Sequence, residues 1–302
     1  MTATTAAIED EILAEYDYPK GLWARFVHQV CKISANGHMT EKEKRRKFPL
    51  ALLSPGLNTT RFFTNHLAQE LASRGFTVIT IDHPYDTDVV EFPNGDIIIG
   101  GRVTKENASL EHALQVRADD ASFILNNLGM SAEDETAVMF GQSFGGAATA
   151  TALLNDKRFR AGVNIDGLMF GPVLTTPLGK PTRPQAFMLW GSDGHEEYPS
   201  WTQFQATLSN STFVDYWKHF NIVNSTHGSY WDLNILVDIA GIRGGLSETA
   251  QLLIGPVPGA RVWDIVGRYL SEFFWYTLGL KLEDEILKRP SAKFPEVNAL
   301  YQ

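Results

Sequence analysis

The stretch Ala137-Val-Met-Phe-Gly-Gln-Ser-Phe-Gly-Gly146 decides how this chain is read. Four apolar residues, Ala137 to Phe140, have the length and composition of a buried strand, and the run from Ala147 to Leu154 is rich in small helix formers. Between them Gly141 and Gly145 flank Ser143 at a spacing of two residues on each side. A serine in a strand–turn–helix of this kind is a nucleophile elbow: the glycines allow a strained, tight turn and close helix packing, and the hydroxyl is pushed clear of the backbone. The helix N-terminus behind it favours developing negative charge. Ser143 is therefore the candidate nucleophile, against the plainer reading of a glycine-rich turn without chemistry.

Outward from this point, strands alternate with helices. Phe48 to Leu53 reads as a buried strand entering the Ser54-Pro55-Gly56-Leu57 turn, and a helix from Arg61 to Arg74 stops at Gly75. A strand at Thr77 to Ile81 follows, then a hairpin around Pro93-Asn94-Gly95 and a helix from Leu110 to Leu128. Beyond the elbow come strands at Ala161 to Ile165 and Ala186 to Trp190, an apparently helical segment at Asp215 to Phe220, and a long helix from Arg261 to Leu278. This alternation predicts an α/β fold of the α/β-hydrolase type, with a mostly parallel sheet and helices on both faces. With no internal repeat or linker, a single domain over 1–302 is the economical reading. Residues 1–47, helical at Ile8 to Tyr16 and Gly21 to Cys31, form an N-terminal extension to a catalytic core at 48–302.

A serine needs a base to take its proton and a carboxylate to orient that base, and on this fold the chain order is serine, acid, histidine. Of the histidines after Ser143, His219 falls in the apparently helical segment and reads as a surface or packing residue, while His195 comes early for the expected order. His227 stands in a polar loop and is the candidate base. Two aspartates end strands after the nucleophile, Asp166 and Asp193; each could equally cap a turn, and position alone favours Asp193. The Asp193/His195/Glu196 cluster reads as a solvated loop rather than a metal site.

The sequence resembles the platelet-activating factor acetylhydrolase family of the plasma and lipoprotein-associated type, particularly its fungal members. The resemblance rests on Phe48 to Leu57, Asp82-His-Pro-Tyr-Asp86, Val90 to Gly95, Gly141 to Gly146, Asn164-Ile-Asp-Gly-Leu-Met-Phe170, Ser225-Thr-His227 and Phe294 to Val297. It implies a Ser143–His227–Asp166 triad, which sets Asp193 aside, and places one oxyanion donor at the N–H of Leu57. The other donor is expected from Phe144, the residue after the nucleophile, and Gly56 lets the Leu57 backbone approach closely. It also implies esters of short acyl groups as substrates, acetylated phospholipids among them. Family members begin with antiparallel strands that have no counterpart here. The resulting sheet edge is expected to be exposed, covered by the N-terminal helices, or paired in a dimer.

The remaining properties narrow the class. A net charge of −9 disfavours sequence-independent binding to nucleic acid. The one cysteine, Cys31, allows no intramolecular disulfide and reads as a buried thiol. The first ten residues lack the basic and apolar regions of a signal peptide, so the chain as written reads as cytoplasmic, and as secreted if it is a piece of a longer precursor. Neither a cofactor nor a metal is called for. Aromatic residues near the candidate segments, Phe62, Phe63, Tyr85, Phe170, Trp190, Tyr230 and Trp231, are expected to line an apolar substrate pocket. The aromatic face of the C-terminal helix is read as core, with a dimer face or membrane-surface contact as alternatives. Three functions follow: an esterase acting on a small-molecule ester, a hydrolase of secondary metabolism acting on a lactone, polyketide ester or thioester, and a non-catalytic binding protein on the same fold.

Overall fold

The computed structural model describes residues 1–23, 48–131, 133–134, 136–195 and 198–300; Cys31 and most of the Gly21 to Cys31 helix expectation lie outside them. The strands are β1 (Leu50–Ser54), β2 (Thr77–Thr80), β3 (Val89–Glu91), β4 (Ile97–Ile99), β5 (Ala137–Gln142), β6 (Phe159–Ile165), β7 (Gln185–Gly191), β8 (Val214–Ile222) and β9 (Val297–Ala299). The helices are α1 (Ala3–Ala14), α2 (Asn65–Ser73), α3 (Asn107–Asn127), α4 (Phe144–Asn155), α5 (Pro199–Ser209), α6 (Asp232–Ile239), α7 (Glu248–Ile254), α8 (Gly259–Thr277) and α9 (Glu285–Lys288).

Among the described residues, seven strands form one sheet in the order β2-β1-β5-β6-β7-β8-β9. Every pairing is parallel except β8 with β9. β3 and β4 make the expected hairpin, with Gly95 at φ +91° in its turn. Burial on both faces explains the unbroken apolar runs of β1, β5 and β7. Side chains alternate between two cores: Ala51, Leu53, Val138 and Phe140 pack with Val262, Val266 and Phe274 of α8, whereas Leu50, Leu52, Ala137 and Met139 pack with Ala118, Ala121 and Leu125 of α3. Helices thus cover both faces.

β2 and β9 are the edges of the sheet among the described residues, and Thr77 on β2 is exposed. α1 packs elsewhere: Ala6 and Leu13 join Leu22, Trp23, Phe63, Leu233 and Ile254 in a separate cluster. In α8, Trp263, Phe273 and Phe274 are buried in the core, Trp275 stacks on Phe76, and Tyr276 meets Tyr216, as the core reading of that face expects.

The Asp215 to Phe220 expectation is corrected: the segment is the central part of β8, paired with β7 from Gln185↔Val214 to Gly191↔Asn221. Its sequence is too short for periodicity to separate helix from strand, and pairing with β7 along the segment, joined by β9 from Phe220 on, decides it. His219 accordingly lies inside, 1% exposed, against Trp201 and within hydrogen-bond reach of Gln205.

Candidate active site

The parallel strands end together, and their carboxyl ends carry the site. At the end of β5 the chain turns through Ser143 with φ +56° and ψ −125°, a left-handed conformation that costs a non-glycine residue free energy and must be held by its surroundings. The Ser143 N–H donates to Ile165 O at 2.7 Å, so the ladder to β6 continues through the turn. Gly145 explains the glycine requirement: a Cβ there would stand 2.0 Å from the Ser54 carbonyl oxygen, so α4 can start flush against β1 only without one.

β6 delivers the candidate acid. Asp166 follows its last residue with φ +59°, and its N–H donates to Trp190 O at 2.7 Å. Asn164 pins the loop beyond, donating to Gly167 O and accepting from Gly167 N. The Asp166 side chain is buried, and its Oδ2 lies 2.6 Å from His227 Nδ1. Its Oδ1 accepts from Ser192 N and lies 2.8 Å from His195 Nδ1. Burial by itself would raise this carboxyl, but the hydrogen bonds from His195 and His227 outweigh it and hold the group well below the usual carboxylate range.

His227 opens a 3₁₀ turn, His227–Tyr230, whose entry is fixed by reciprocal bonds between Thr226 and Ser229. An ionised carboxylate only accepts, so the hydrogen-bond network assigns the His227 proton to Nδ1 and leaves Nε2 a bare acceptor. The Gln142 side chain stands 3.1 Å from that Nε2 and can donate its amide to it. Ser143, Asp166 and His227 line one cavity of about 590 Å³ together with Leu57, Leu110, Phe144, Leu168, Phe170, His195 and Tyr198. The cavity therefore joins a hydroxyl, an unprotonated imidazole nitrogen that the Gln142 amide also approaches, and apolar walls.

Several expectations about the surroundings are corrected. Of the seven aromatic residues assigned to the pocket, Phe170 lines the cavity. Trp190 and Tyr230 are fully buried, Trp190 packing on Phe220 and Tyr269, and the Tyr230 hydroxyl donating to Gly191 O. Phe63 sits between Trp23 and Trp231, and Trp231 reaches His227 only edge-on at 6.0 Å. Phe62 carries the Arg61 guanidinium and Tyr85 that of Arg102, both away from the cavity lining. Adjacency in sequence to a strand end does not say which way a ring turns.

Asp193 lies at the cavity rim, is exposed, and accepts from Asn224 N at 2.8 Å. The solvated-loop reading fails for His195, which is 7% exposed and packed against Tyr198 and Trp201; Glu196 lies outside the described residues. Among the described residues no cluster of three His, Cys, Asp or Glu has metal-site geometry. Arg117 was not singled out from sequence, yet it is fully buried and its fork reaches Asp86 and the loop between β1 and Leu57. One signal was available: Leu110, Leu114, Arg117 and Ala121 share the buried stripe of α3, and an arginine there requires a buried partner. A second serine–histidine–aspartate array, Ser54 Oγ to His83 Nε2 at 3.0 Å and His83 Nδ1 to Asp120 at 2.7 Å, is structural, because Ser54 is fully buried and also receives Arg117.

Comparison with known proteins gives the family. The chain matches the platelet-activating factor acetylhydrolase, isoform II family over residues 21–90 and 108–240, more than half its length. The chain belongs to that family. A probable 1-alkyl-2-acetylglycerophosphocholine esterase of Arthroderma benhamiae is 35% identical over 97% of this chain and 78% of its own length. A platelet-activating factor acetylhydrolase of Cavia porcellus is 28% identical over 78% of this chain, which spans only 58% of the longer relative. Among solved structures, a ferulic acid esterase from Streptomyces cinnamoneus superposes with a TM-score of 0.75 at 24% identity, covering 98% of this chain and 84% of that one. That likeness carries the fold, and membership of the acetylhydrolase family makes the chain a carboxylic ester hydrolase.

Proposed function

We propose that the chain hydrolyses esters of small acyl groups through an acyl-enzyme formed on Ser143. The observation that carries the reading is the 2.6 Å contact between His227 Nδ1 and Asp166, which leaves Nε2 without a proton of its own beside a cavity shared with Ser143. In this mechanism Nε2 takes the Ser143 proton as Oγ attacks the ester carbonyl. Asp166 remains ionised, its carboxyl held low by two imidazoles, and stabilises the imidazolium that forms. The Leu57 and Phe144 N–H groups receive the oxyanion; Phe144 opens α4, where the first N–H groups have no partner inside the helix. His227 returns the proton to the leaving alcohol, then deprotonates a water that attacks the acyl-enzyme and releases the acid.

The apolar residues Leu57, Leu110, Phe144, Leu168 and Phe170 suit an acyl chain or the alkyl part of a lipid alcohol. By likeness to relatives named for acetylated glycerophosphocholines, the substrate proposed is an acetyl ester of a lipid alcohol. A series of p-nitrophenyl esters from acetate to decanoate tests the acyl preference, with kcat/KM expected to fall along it. Intact-mass measurement during turnover is expected to show one acyl adduct in the native protein and none in Ser143→Ala. Equal rates for the two proteins would overturn the assignment of Ser143.

A further inference from the structure

We propose that Arg117 is a positioning residue for the oxyanion hole, holding the peptide between Gly56 and Leu57 so that the Leu57 N–H faces the cavity. This rests on the reading of Ser143 as nucleophile. Arg117 Nη2 donates to Gly56 O at 3.0 Å, and Nη1 donates to Pro55 O and to Ser54 Oγ. The guanidinium is itself fixed by Asp86, with Nε and Nη2 each 2.6 Å from one carboxylate oxygen. The planar fork thus satisfies a carboxylate and two successive carbonyls, which a lysine ammonium cannot do in one geometry.

The consequence for Leu57 follows from peptide geometry. The bond is trans, so the Gly56 carbonyl and the Leu57 N–H point in opposite directions from one plane. Gripping the carbonyl on the Arg117 side therefore aims the N–H to the other side. A flip of that plane would break the bond to Arg117 and turn a carbonyl toward the anion. Such flips are easiest beside glycine, and a Cβ on Gly56 would sit tightly, 3.1 Å from Gln142 Oε1 and from Thr59 Oγ1. The close approach that the site needs leaves the backbone free to turn, and Arg117 removes that freedom.

Two further contacts point the same way. The Asn58 N–H donates to Asp86 O at 3.2 Å, so Leu57 is bracketed, with Arg117 on the carbonyl before it and the Asp86 backbone on the amide after it. The guanidinium also lies 4.9 Å from the ring centroid of Phe144, the residue that carries the second donor. A buried ion pair is a weak source of stability, because desolvation offsets most of its attraction, so its placement behind this loop calls for another role.

The test is Arg117→Lys, with Asp86→Asn as a second variant that keeps the guanidinium but weakens its anchor. For each, kcat is measured per titrated active site on p-nitrophenyl acetate, with KM and the inhibition constant of phenylboronic acid, which forms a tetrahedral adduct on the serine. Losing an aimed oxyanion donor typically lowers kcat by ~10²–10³-fold. Arg117→Lys is expected to approach that loss and Asp86→Asn to show part of it, with KM within about twofold and boronate binding weakened in step with kcat. A merely structural role would lower the titratable fraction and leave kcat per site and boronate affinity as in the native protein; that result overturns the proposal. A crystal structure of the native protein with the boronate gives a check that needs no variant: the Leu57 N–H must reach the boronate oxygen while Gly56 O stays on Arg117, and a flipped peptide overturns the proposal. If Ser143→Ala keeps full activity, the reading of the site falls; if it is inactive while both variants keep native kcat, only the role of Arg117 falls.

Discussion

His195 Nδ1 lies 2.8 Å from Oδ1 of Asp166, on the oxygen that His227 does not use. The candidate acid is thus held by two imidazoles and the Ser192 N–H, and His195 touches Asp166 rather than the candidate nucleophile Ser143. Each bond to an ionised group is worth about 1.5–3 kcal/mol where it is buried. His195→Phe is expected to lower kcat by roughly tenfold and to destabilise the fold by an amount in that range, whereas His195→Gln, which keeps a donor, recovers most of both. The sign of the pH dependence follows from the depressed Asp166 carboxyl: its stabilisation is present above the unfolded value of 3.8 and is lost as pH falls toward the folded one. The stability gap between native protein and His195→Phe should therefore narrow below about pH 4. Chemical denaturation from pH 3 to 8 measures it, and a gap independent of pH would argue against the bond to Asp166.

Asp166 and Asp193 separate cleanly by mutation. Asp166→Asn should cost ~10⁴-fold in kcat, as loss of the orienting carboxylate does in other serine hydrolases. Asp193→Asn removes a charge at the cavity rim but keeps an amide oxygen that can accept from Asn224 N, and should stay within a few-fold of the native rate. Steady-state kinetics on p-nitrophenyl acetate decides, and the larger loss in Asp193→Asn would reverse the assignment.

Glu9 makes the N-terminal helix sensitive to pH. It is buried in α1, and burial, with Asp88 nearby, pushes its carboxyl up to about 8. Between its unfolded value of 4.5 and about 8 the folded state binds more proton than the unfolded chain, so stability falls as pH rises through that window. Glu9→Gln should raise Tm at pH 8 by at least ~2 °C and leave it nearly unchanged at pH 5. Thermal unfolding at the two pH values tests this, and a larger gain at pH 5 contradicts it.

Phe170 and Trp190 should respond in opposite ways. Phe170 lines the cavity, so Phe170→Ala is expected to shift the acyl preference and raise KM with modest loss of stability. Trp190 is fully buried between Phe220 and Tyr269, so Trp190→Ala should cost about 3–5 kcal/mol of stability. Trp190→Phe, which keeps a ring in the core, should leave the acyl preference unchanged. Kinetics across the ester series with parallel unfolding curves separates the two.

What the sequence determined by itself is local. Strand, glycine turn and helix around Ser143 fall within about twenty residues, and their conformations follow from side-chain size and apolar run length. The order of serine, aspartate and histidine, together with the family resemblance, was equally legible, and the structure brings Asp166 and His227 into contact. Tertiary structure alone decided everything that depends on where a side chain points after the chain has returned. Asp215 to Phe220 became a strand because β7 pairs with it along its length and β9 joins at Phe220. Trp190 and Tyr230 turned into the core because alternation assigns a face only once the sheet exists. Arg117 meets Asp86 across 31 residues and Gly56 across 61, and His195 meets Asp166 across 29. No periodicity encodes such pairs, since they form only where strand ends and helix faces are brought together by packing.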